Sequence, residues 1–136
     1  PYHPGRRFQM KNKPLIGFAI AAAIMATTGS AMAADAAAGE EVFKKRCASC
    51  HALDKAKTGP ALGGVVGRKA GSTDFKRYKG LVDADFDWTP ELLDEYITDP
   101  KAFVTTHTSN KRTSMTYKLS DAQERADVIE YLKTTN

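Results

Sequence analysis

The sequence has 136 residues, 42% of them hydrophobic and 26% charged, and this length allows one small domain. Its 20 basic residues exceed its 16 acidic ones, but four of the basic residues precede residue 34, so residues 34–136 carry 16 of each. The positive excess therefore belongs to the first part of the chain, and it does not predict nucleic-acid binding.

The first 33 residues read as material outside the fold. Residues 1–9 precede a plausible start methionine and are interpreted as upstream or artificially added sequence. Residues 10–33 combine a short basic start, an uncharged apolar run and small residues at Ala31 and Ala33. This pattern is typical of a secretory signal peptide cut after Ala33, and the apolar run is short for a retained anchor. The folded domain is predicted to span residues 34–136, exported to the periplasm with no stable membrane anchor.

Three segments of this domain carry helix signals. Residues 36–51 have early acids, late bases and apolar residues at helical spacing, and residues 88–100 offer Thr89 as N-cap before Pro90. Residues 120–136 begin with Ser120 and Gln123, which predict a capping box. Shorter helical turns are expected near residues 75–81 and 100–104, joined by loops rich in Gly, Ser, Thr and Lys. The prediction is an all-α domain.

So small a helical domain should bury little apolar surface against the entropy cost of ordering its loops. A large apolar prosthetic group at the centre would supply the missing core. The stretch Cys47-Ala48-Ser49-Cys50-His51 offers an attachment point for one. On a helix these two thiols and the imidazole share one face, so the thiols can add to the vinyl groups of a haem while His51 binds its iron.

Other uses of the two cysteines fit the sequence less well. A structural zinc site needs four ligands, and here one Cys pair stands alone. A thioredoxin-type dithiol requires a βαβ setting, and no strand pattern of useful length is present. A disulfide between Cys47 and Cys50 is geometrically poor within a helix.

The second iron ligand decides what such a haem can do. Met115 is the one methionine after residue 34, and it lies in a polar loop before the last helical segment. A thioether ligand raises the haem potential and closes the iron to substrates, which favours an electron carrier over an enzyme. His107 is the rival ligand, although a surface histidine is the simpler interpretation.

The ordered motifs GEEVFKKRCASCH, TGPALGGVVGRKAG, Trp88, EYITDP, TSMTYKL and ERADVIEYL resemble class I cytochromes c, both bacterial members of the c-two kind and mitochondrial cytochrome c. The resemblance runs from about residue 39 to residue 132. It implies a small all-α fold of three main helices and short helical turns, wrapped around one covalently bound haem c.

The resemblance also implies roles for individual residues. His51 and Met115 would bind the iron, Cys47 and Cys50 would hold the haem, and the Pro60 carbonyl would accept the His51 Nδ1 proton. Further residues would contact the haem or the methionine: Arg68, Tyr78 and Trp88 at the buried propionates, Tyr96 at the Met115 sulfur, and Thr113 beside it. Gly39 and Phe43 would cross the last helix.

The implied function is one-electron transfer in the periplasm, by a monomer and not by an enzyme. Its partners would be acidic docking faces of a quinol–cytochrome c oxidoreductase and of a terminal oxidase, reductase or photosynthetic reaction centre. Charges are segregated accordingly: residues 44–79 hold ten bases and two acids, while residues 83–99 hold seven acids and no base. The predicted docking rim consists of Lys44, Lys45, Lys55, Lys57, Lys76, Lys111 and Lys118. A haem enzyme and a dedicated subunit of a periplasmic dehydrogenase remain the alternatives.

Overall fold

The computed structural model describes residues 32–136, so most of the predicted leader lies outside the described residues. Four α-helices follow in chain order, here named α1 (Ala36–Val42), α2 (Pro90–Thr98), α3 (Pro100–His107) and α4 (Ala122–Lys133). Residues 32–136 contain no β-strand; their sole ladder-type contact is an isolated antiparallel bridge between Lys69 and Asp87. The prediction of an all-α fold is confirmed.

The first predicted helix is correct in position but not in length. α1 ends at Val42, and a π-helical turn follows over Phe43–Cys47, closed by a bond from the Ala48 N–H to the Phe43 carbonyl (2.9 Å). Such wider turns are uncommon and frequently mark functional sites. Cys50 and His51 therefore follow the helical segment and do not lie within it.

α1 and α4 cross in direct contact, as the sequence predicted. A Cβ on Gly39 would lie 1.9 Å from the Asp127 backbone oxygen, so only glycine permits this approach. Beside it, the rings of Phe43 and Tyr131 pack with their centroids 5.8 Å apart. This crossing joins the two ends of the described chain and fixes the direction in which α1 delivers the cysteines.

The middle helices follow from proline and cap chemistry. The Thr89 hydroxyl accepts the Leu92 N–H, and Pro90 occupies the first turn of α2, as predicted. Asp99 then caps α3 by accepting the Ala102 N–H at 3.1 Å, which makes the expected turn after Pro100 an eight-residue helix. The other expected turn, over residues 75–81, is irregular loop.

The cap predicted for the last helix is wrong. Asp121, not Ser120, is the N-cap of α4, and its carboxylate accepts the Glu124 N–H at 2.9 Å. Gln123 does not close a capping box; its side-chain amide donates to Asp127 at 2.9 Å. Two acceptors stand side by side in the sequence, and the carboxylate, as a charged acceptor at a helix N-terminus, is preferred over the hydroxyl.

The core is built around aromatic rings on one side of the molecule. Trp88 stacks on Phe103 at 5.6 Å between centroids, and both rings meet Tyr96 edge to face, at 5.1 and 5.3 Å. Phe103 and Val104 of α3 are almost completely buried. These rings hold α2 and α3 against the loop before α2, and the opposite side of the Trp88 cluster faces a cavity.

Candidate haem site

A cavity of about 510 Å³ lies between the π-helical turn, α2, α4 and the loop before α4. Its volume is in the range of about 300–1,000 Å³ typical of cofactor and ligand sites. Cys47, Cys50, His51 and Met115 all line it, although His51 and Met115 are 64 positions apart in the sequence. The fold therefore brings together the four residues on which the predicted site depends.

The attachment motif forms one turn with helix-like hydrogen bonds, although Cys50 and His51 lie beyond the end of the helical segment. The N–H groups of Cys50 and His51 both bond to the Cys47 carbonyl, at 3.1 and 2.9 Å. This one turn presents two thiols and an imidazole to the same cavity. Burial raises the pKa of the Cys47 thiol to about 11, with the neighbouring Cys50 adding to the effect, so Cys47 is not tuned as the low-pKa thiol of a redox enzyme.

His51 is held rigidly from behind. Its Nδ1 lies 2.8 Å from the Pro60 carbonyl oxygen, and because a carbonyl can only accept, Nδ1 must carry the proton. The tautomer is thereby fixed and Nε2 keeps a free lone pair. Burial lowers the pKa of His51, which favours the neutral form that binds metals, against an opposing effect of the Pro60 bond.

Gly59 is a site residue that the sequence reasoning missed. A Cβ at this position would lie 2.2 Å from the His51 ring carbon Cε1, so any side chain would displace the imidazole. The signal is present in the Gly59-Pro60 pair, which by sequence alone indicates only a turn. Both residues position His51, since Gly59 leaves space for its ring and the Pro60 carbonyl accepts its Nδ1 proton.

Met115 is placed by side-chain hydrogen bonds in a loop. Its N–H donates to the Thr113 hydroxyl at 3.2 Å, and that hydroxyl lies 3.5 Å from the Tyr96 hydroxyl. The sequence predicted that Tyr96 bonds the methionine sulfur and that Thr113 stands nearby. Tyr96, Thr113 and Met115 all line the cavity, and the bond from Tyr96 to the methionine sulfur stays a prediction.

The three residues predicted at the propionates all line the cavity. Arg68 donates to the carbonyls of Gly63 (3.0 Å) and Ala61 (2.9 Å), and the Tyr78 hydroxyl lies 2.6 Å from that of Thr73. The Trp88 ring is part of the aromatic core and also borders the cavity. Thr73 was not identified from the sequence, because a lone threonine in a polar loop carries no signal.

His107 lies away from these residues. Its Nε2 donates toward Glu95 Oε1 at 2.8 Å, and its ring stacks on Phe103 with centroids 4.1 Å apart. It does not line the cavity. The interpretation of His107 as a histidine outside the site is supported, and the rival ligand assignment is not.

The walls fit a covalently held haem. Among residues 32–136 no acidic side chain lines the cavity, whereas five basic ones do: Lys45, Arg46, Arg68, Arg77 and Lys79. Arg68 is the most enclosed of these, and burial lowers its pKa without any carboxylate partner among the ion pairs of the described residues. An enclosed cation in this position calls for an anion, which the propionates of a haem would supply. Within residues 32–136 no group of three His, Cys, Asp or Glu side chains is arranged to bind a metal.

Comparison with known proteins agrees with the class of protein that this site defines. The sequence model of the cytochrome c family matches residues 36–136. Cytochrome c2 of Rhodopseudomonas palustris is 44% identical over 118 residues, covering 78% of this chain and 84% of the relative. Cytochrome c-550 of Paracoccus denitrificans is 38% identical over 130 residues, covering 83% and 82%.

Solved structures give the same result. The ferricytochrome c2 structure from Rhodopseudomonas palustris superimposes with a TM-score of 0.67 at 42% identity, covering 75% of this chain and 99% of that one. The chain belongs to the cytochrome c family, has the class I fold and carries a covalently bound c-type haem. It is an electron carrier of that family. None of the helices in the described part of the chain is long and apolar enough to span a membrane.

Proposed function

We propose that this protein is a periplasmic carrier that moves one electron at a time, in which His51 and Met115 would bind the haem iron and Cys47 and Cys50 would hold the haem through thioether links. Its donor would be a membrane quinol–cytochrome c oxidoreductase and its acceptor a terminal oxidase, reductase or photosynthetic reaction centre. The single observation that carries the proposal is that these four side chains line one cavity. When bound there, the haem supplies a one-electron couple between ferric and ferrous iron.

The chain would hold the two ligands by different means. His51 receives its orientation from the Pro60 carbonyl at 2.8 Å, which strengthens the imidazole as a donor. Met115 comes from a loop whose Thr113 hydroxyl accepts its N–H at 3.2 Å. A thioether favours the ferrous state and occupies the position that a substrate would need, which supports a carrier over a haem enzyme.

Arg68, Tyr78 and Trp88 would receive the two propionates. Arg68 uses two of its five N–H donors on the carbonyls of Ala61 and Gly63, so donors remain for a carboxylate. Its positive charge would offset the cost of enclosing one. These three side chains would thereby help to hold the haem in the cavity.

The charges around the cavity support docking to acidic surfaces. The seven acids of residues 83–99 are absent from the cavity lining, while Lys45, Arg77 and Lys79 border it. The predicted rim needs one refinement, because two of its lysines have carboxylate partners. Lys44 pairs with Glu40 at 2.9 Å and Lys118 with Asp99 at 2.6 Å. Lys45 and Lys111 of the rim make none of the ion pairs found among residues 32–136 and should therefore contribute more to steering. The same holds for Lys79, which was not among the predicted rim residues but lines the cavity.

The ligand assignment is tested by ferric optical spectra of the wild type, Met115→Ala and His107→Ala. We expect a low-spin spectrum with a weak far-red iron–sulfur band in the wild type and in His107→Ala. Met115→Ala should lose the band, and its potential should fall by an amount on the order of a hundred millivolts, within the range of about 0.8 V that axial ligands set. A high-spin wild type that binds carbon monoxide readily, or an unchanged band in Met115→Ala, would refute the carrier with this ligand pair.

Docking is tested by the salt dependence of electron transfer to a purified oxidase. The rate should fall steeply with ionic strength for the wild type and less steeply for Lys79→Gln. Lys133→Gln is the matched control, since Lys133 lies at the end of α4 and pairs with Glu130 at 2.8 Å. Equal salt dependence in all three proteins would contradict the docking surface.

Export and processing belong to the same proposal. Residues 10–33 would direct export and be removed after Ala33, leaving residues 34–136 as the cytochrome domain. Mass spectrometry of protein recovered from the periplasm should find Ala34 at its N-terminus. Recovery of the protein only from the membrane fraction, with a mass that includes the apolar run, would show instead that it remains anchored.

A further inference from the structure

Asp127 stands out because it is the one charged residue buried among residues 32–136, with 7% of its surface exposed. Its Oδ1 accepts two neutral donors, the Asp35 N–H at 2.8 Å and the Gln123 side-chain amide at 2.9 Å. It takes part in none of the ion pairs found in the described part of the chain. Buried carboxylates are normally paired with a cation, so this one lacks the partner that its burial calls for.

The place where this carboxylate points is the proposed processing site. Asp35 is one residue after Ala34, and the Ala33 carbonyl lies 3.4 Å from the Gln123 amide that also bonds Asp127. Cleavage after Ala33 turns the Ala34 nitrogen from an amide into an α-ammonium group. That new cation forms one residue from the N–H that already contacts Asp127.

The new ammonium group would lie beside the N-terminal end of α1, so an anionic partner would stabilise it. Ala34 precedes Asp35, the N-cap of α1, so the new ammonium is next to the positive end of a helix, where a cation is unfavourable. The chain cannot easily swing away, because Gly39 holds α1 against the Asp127 backbone. The Asp35 carboxylate is already engaged with the N–H groups of Ala37 and Ala38.

We propose that Asp127 is the receptor for the N-terminus that processing creates, so that leader removal adds an ion pair between the Ala34 α-ammonium and α4. This proposal rests on the proposed cleavage after Ala33. It makes processing a stabilising step for the crossing of α1 and α4, and through α1 for the turn that bears Cys47.

The test is a cycle of four exported, haem-loaded proteins. Wild type and Asp127→Asn are each made in two forms, one starting at Ala34 and one retaining residues 31–33 through a cleavage signal moved upstream. In the wild type the Ala34 form should have an unfolding equilibrium constant roughly tenfold to a hundredfold smaller, the range for a hydrogen bond to a charged group. In Asp127→Asn the gain should vanish or change sign, because the helix repulsion remains. Glu130→Gln, a partly exposed acid on the same helix, is the matched control and should keep the wild-type gain.

A second measurement needs no variant. Capping the α-amine of the Ala34 form as a ketone, by transamination with pyridoxal 5′-phosphate, which acts selectively at N-termini and leaves the Asp35 N–H in place, should reduce its stability to that of the extended form. The reaction should also be several-fold slower in the wild type than in Asp127→Asn. The proposal is overturned if the gain persists in Asp127→Asn, if capping leaves stability unchanged, or if the natural N-terminus is not Ala34. These readouts do not depend on electron transfer, so their failure is separable from failure of the ligand assignment.

Discussion

The two sides of the haem cavity are built differently. On the His51 side, residues 47–63 are joined by backbone hydrogen bonds, among them Gly59 N–H to Cys50 (2.8 Å) and Gly63 N–H to Leu53 (2.9 Å). On the Met115 side, the hydrogen bonds found for residues 109–118 all involve a side chain. Backbone hydrogen bonds thus hold the segment that bears His51. Hydroxyl, amide and ion-pair contacts of side chains hold the loop that bears Met115.

This contrast separates two properties of the site. Backbone bonds within a compact turn cannot be removed by changing one side chain, so the His51 side should set the stability and loading of the protein. A loop held by side chains can be loosened one contact at a time. The Met115 side should therefore set how easily the sixth ligand is exchanged, and variants on the two sides should affect different measurements.

The largest effect is expected for Gly59→Ala. The added Cβ would lie 2.2 Å from His51 Cε1, and the ring cannot move without losing Pro60, so we expect a loss of about 3 kcal/mol or more and poor haem incorporation. The control is Gly64→Ala, with φ of +71° and no atom within 4 Å of a new Cβ, which should cost only about 1–2 kcal/mol of backbone strain. Denaturant unfolding and the haem content of purified protein measure both. Equal losses would mean that the Gly59 contact does not constrain the ring.

Arg68→Lys should come next, and it should lower stability without easing exchange of the sixth ligand. An ammonium cannot bridge the carbonyls of Ala61 and Gly63 as the guanidinium does, so we expect a loss of about 1–3 kcal/mol. Arg77→Lys, on an exposed side chain bonded to the Lys57 carbonyl at 2.8 Å, is the control and should stay within about 0.5 kcal/mol. Imidazole binding to the ferric protein should be unchanged in both. A large rise in imidazole affinity for Arg68→Lys would contradict the expectation that variants on the two sides of the cavity affect different measurements.

Thr113→Val tests the Met115 side. It removes the hydroxyl that accepts the Met115 N–H and pairs with Tyr96, so the loop should release the ligand more readily. A loss of about 1 kcal/mol corresponds to a roughly fivefold rise in the affinity of ferric protein for imidazole. Global unfolding should change little. Thr116→Val, exposed in the same loop, is the control, and a similar rise in that variant would refute the role of Thr113.

The smallest effect is expected from acid acting on Asp99. Its hydrogen bond with Lys118 lowers the pKa of Asp99, with the Ala102 N–H adding to this, so its folded pKa lies below the unfolded one. The stabilisation is then present above the usual aspartate pKa of about 3.9 and is lost as pH falls through the lower folded value. Asp99→Asn keeps the helix cap but should show weaker pH dependence of the far-red iron–sulfur band below about pH 4. Asp85→Asn, which removes an exposed carboxylate paired with Lys69, should behave as wild type.

The sequence was most informative where a residue acts through local chemistry. Thr89 and Pro90 start α2 as predicted, and Gly39 marks the helix crossing, because caps, proline and glycine act on their immediate backbone. The same reasoning failed at α4, where Ser120 and Asp121 both offer a cap and the charged carboxylate of Asp121 takes the position. It also failed at residues 75–81, which lack the regular helix expected of them.

The site residues also divide into those that local sequence identified and those that it did not. Cys47, Cys50 and His51 form a contiguous motif, and Met115 was conspicuous as the one methionine after residue 34. Gly59 and Thr73 escaped notice because their partners, the His51 ring and the Tyr78 hydroxyl, are brought to them by chain reversal. Tyr96 and Met115 line the same cavity, and the Tyr96 hydroxyl lies 3.5 Å from that of Thr113, while its bond to the methionine sulfur stays a prediction.

The sequence by itself determined the family, the attachment motif and the order of the helices, because each depends on contiguous residues or on local backbone preferences. Tertiary structure alone decided that His51 and Met115 face one cavity, that the acids of residues 83–99 stay away from it, and that Asp127 is buried beside the start of α1. These are relations between segments distant along the chain, and the energies that set them arise from packing and desolvation when the chain closes on itself.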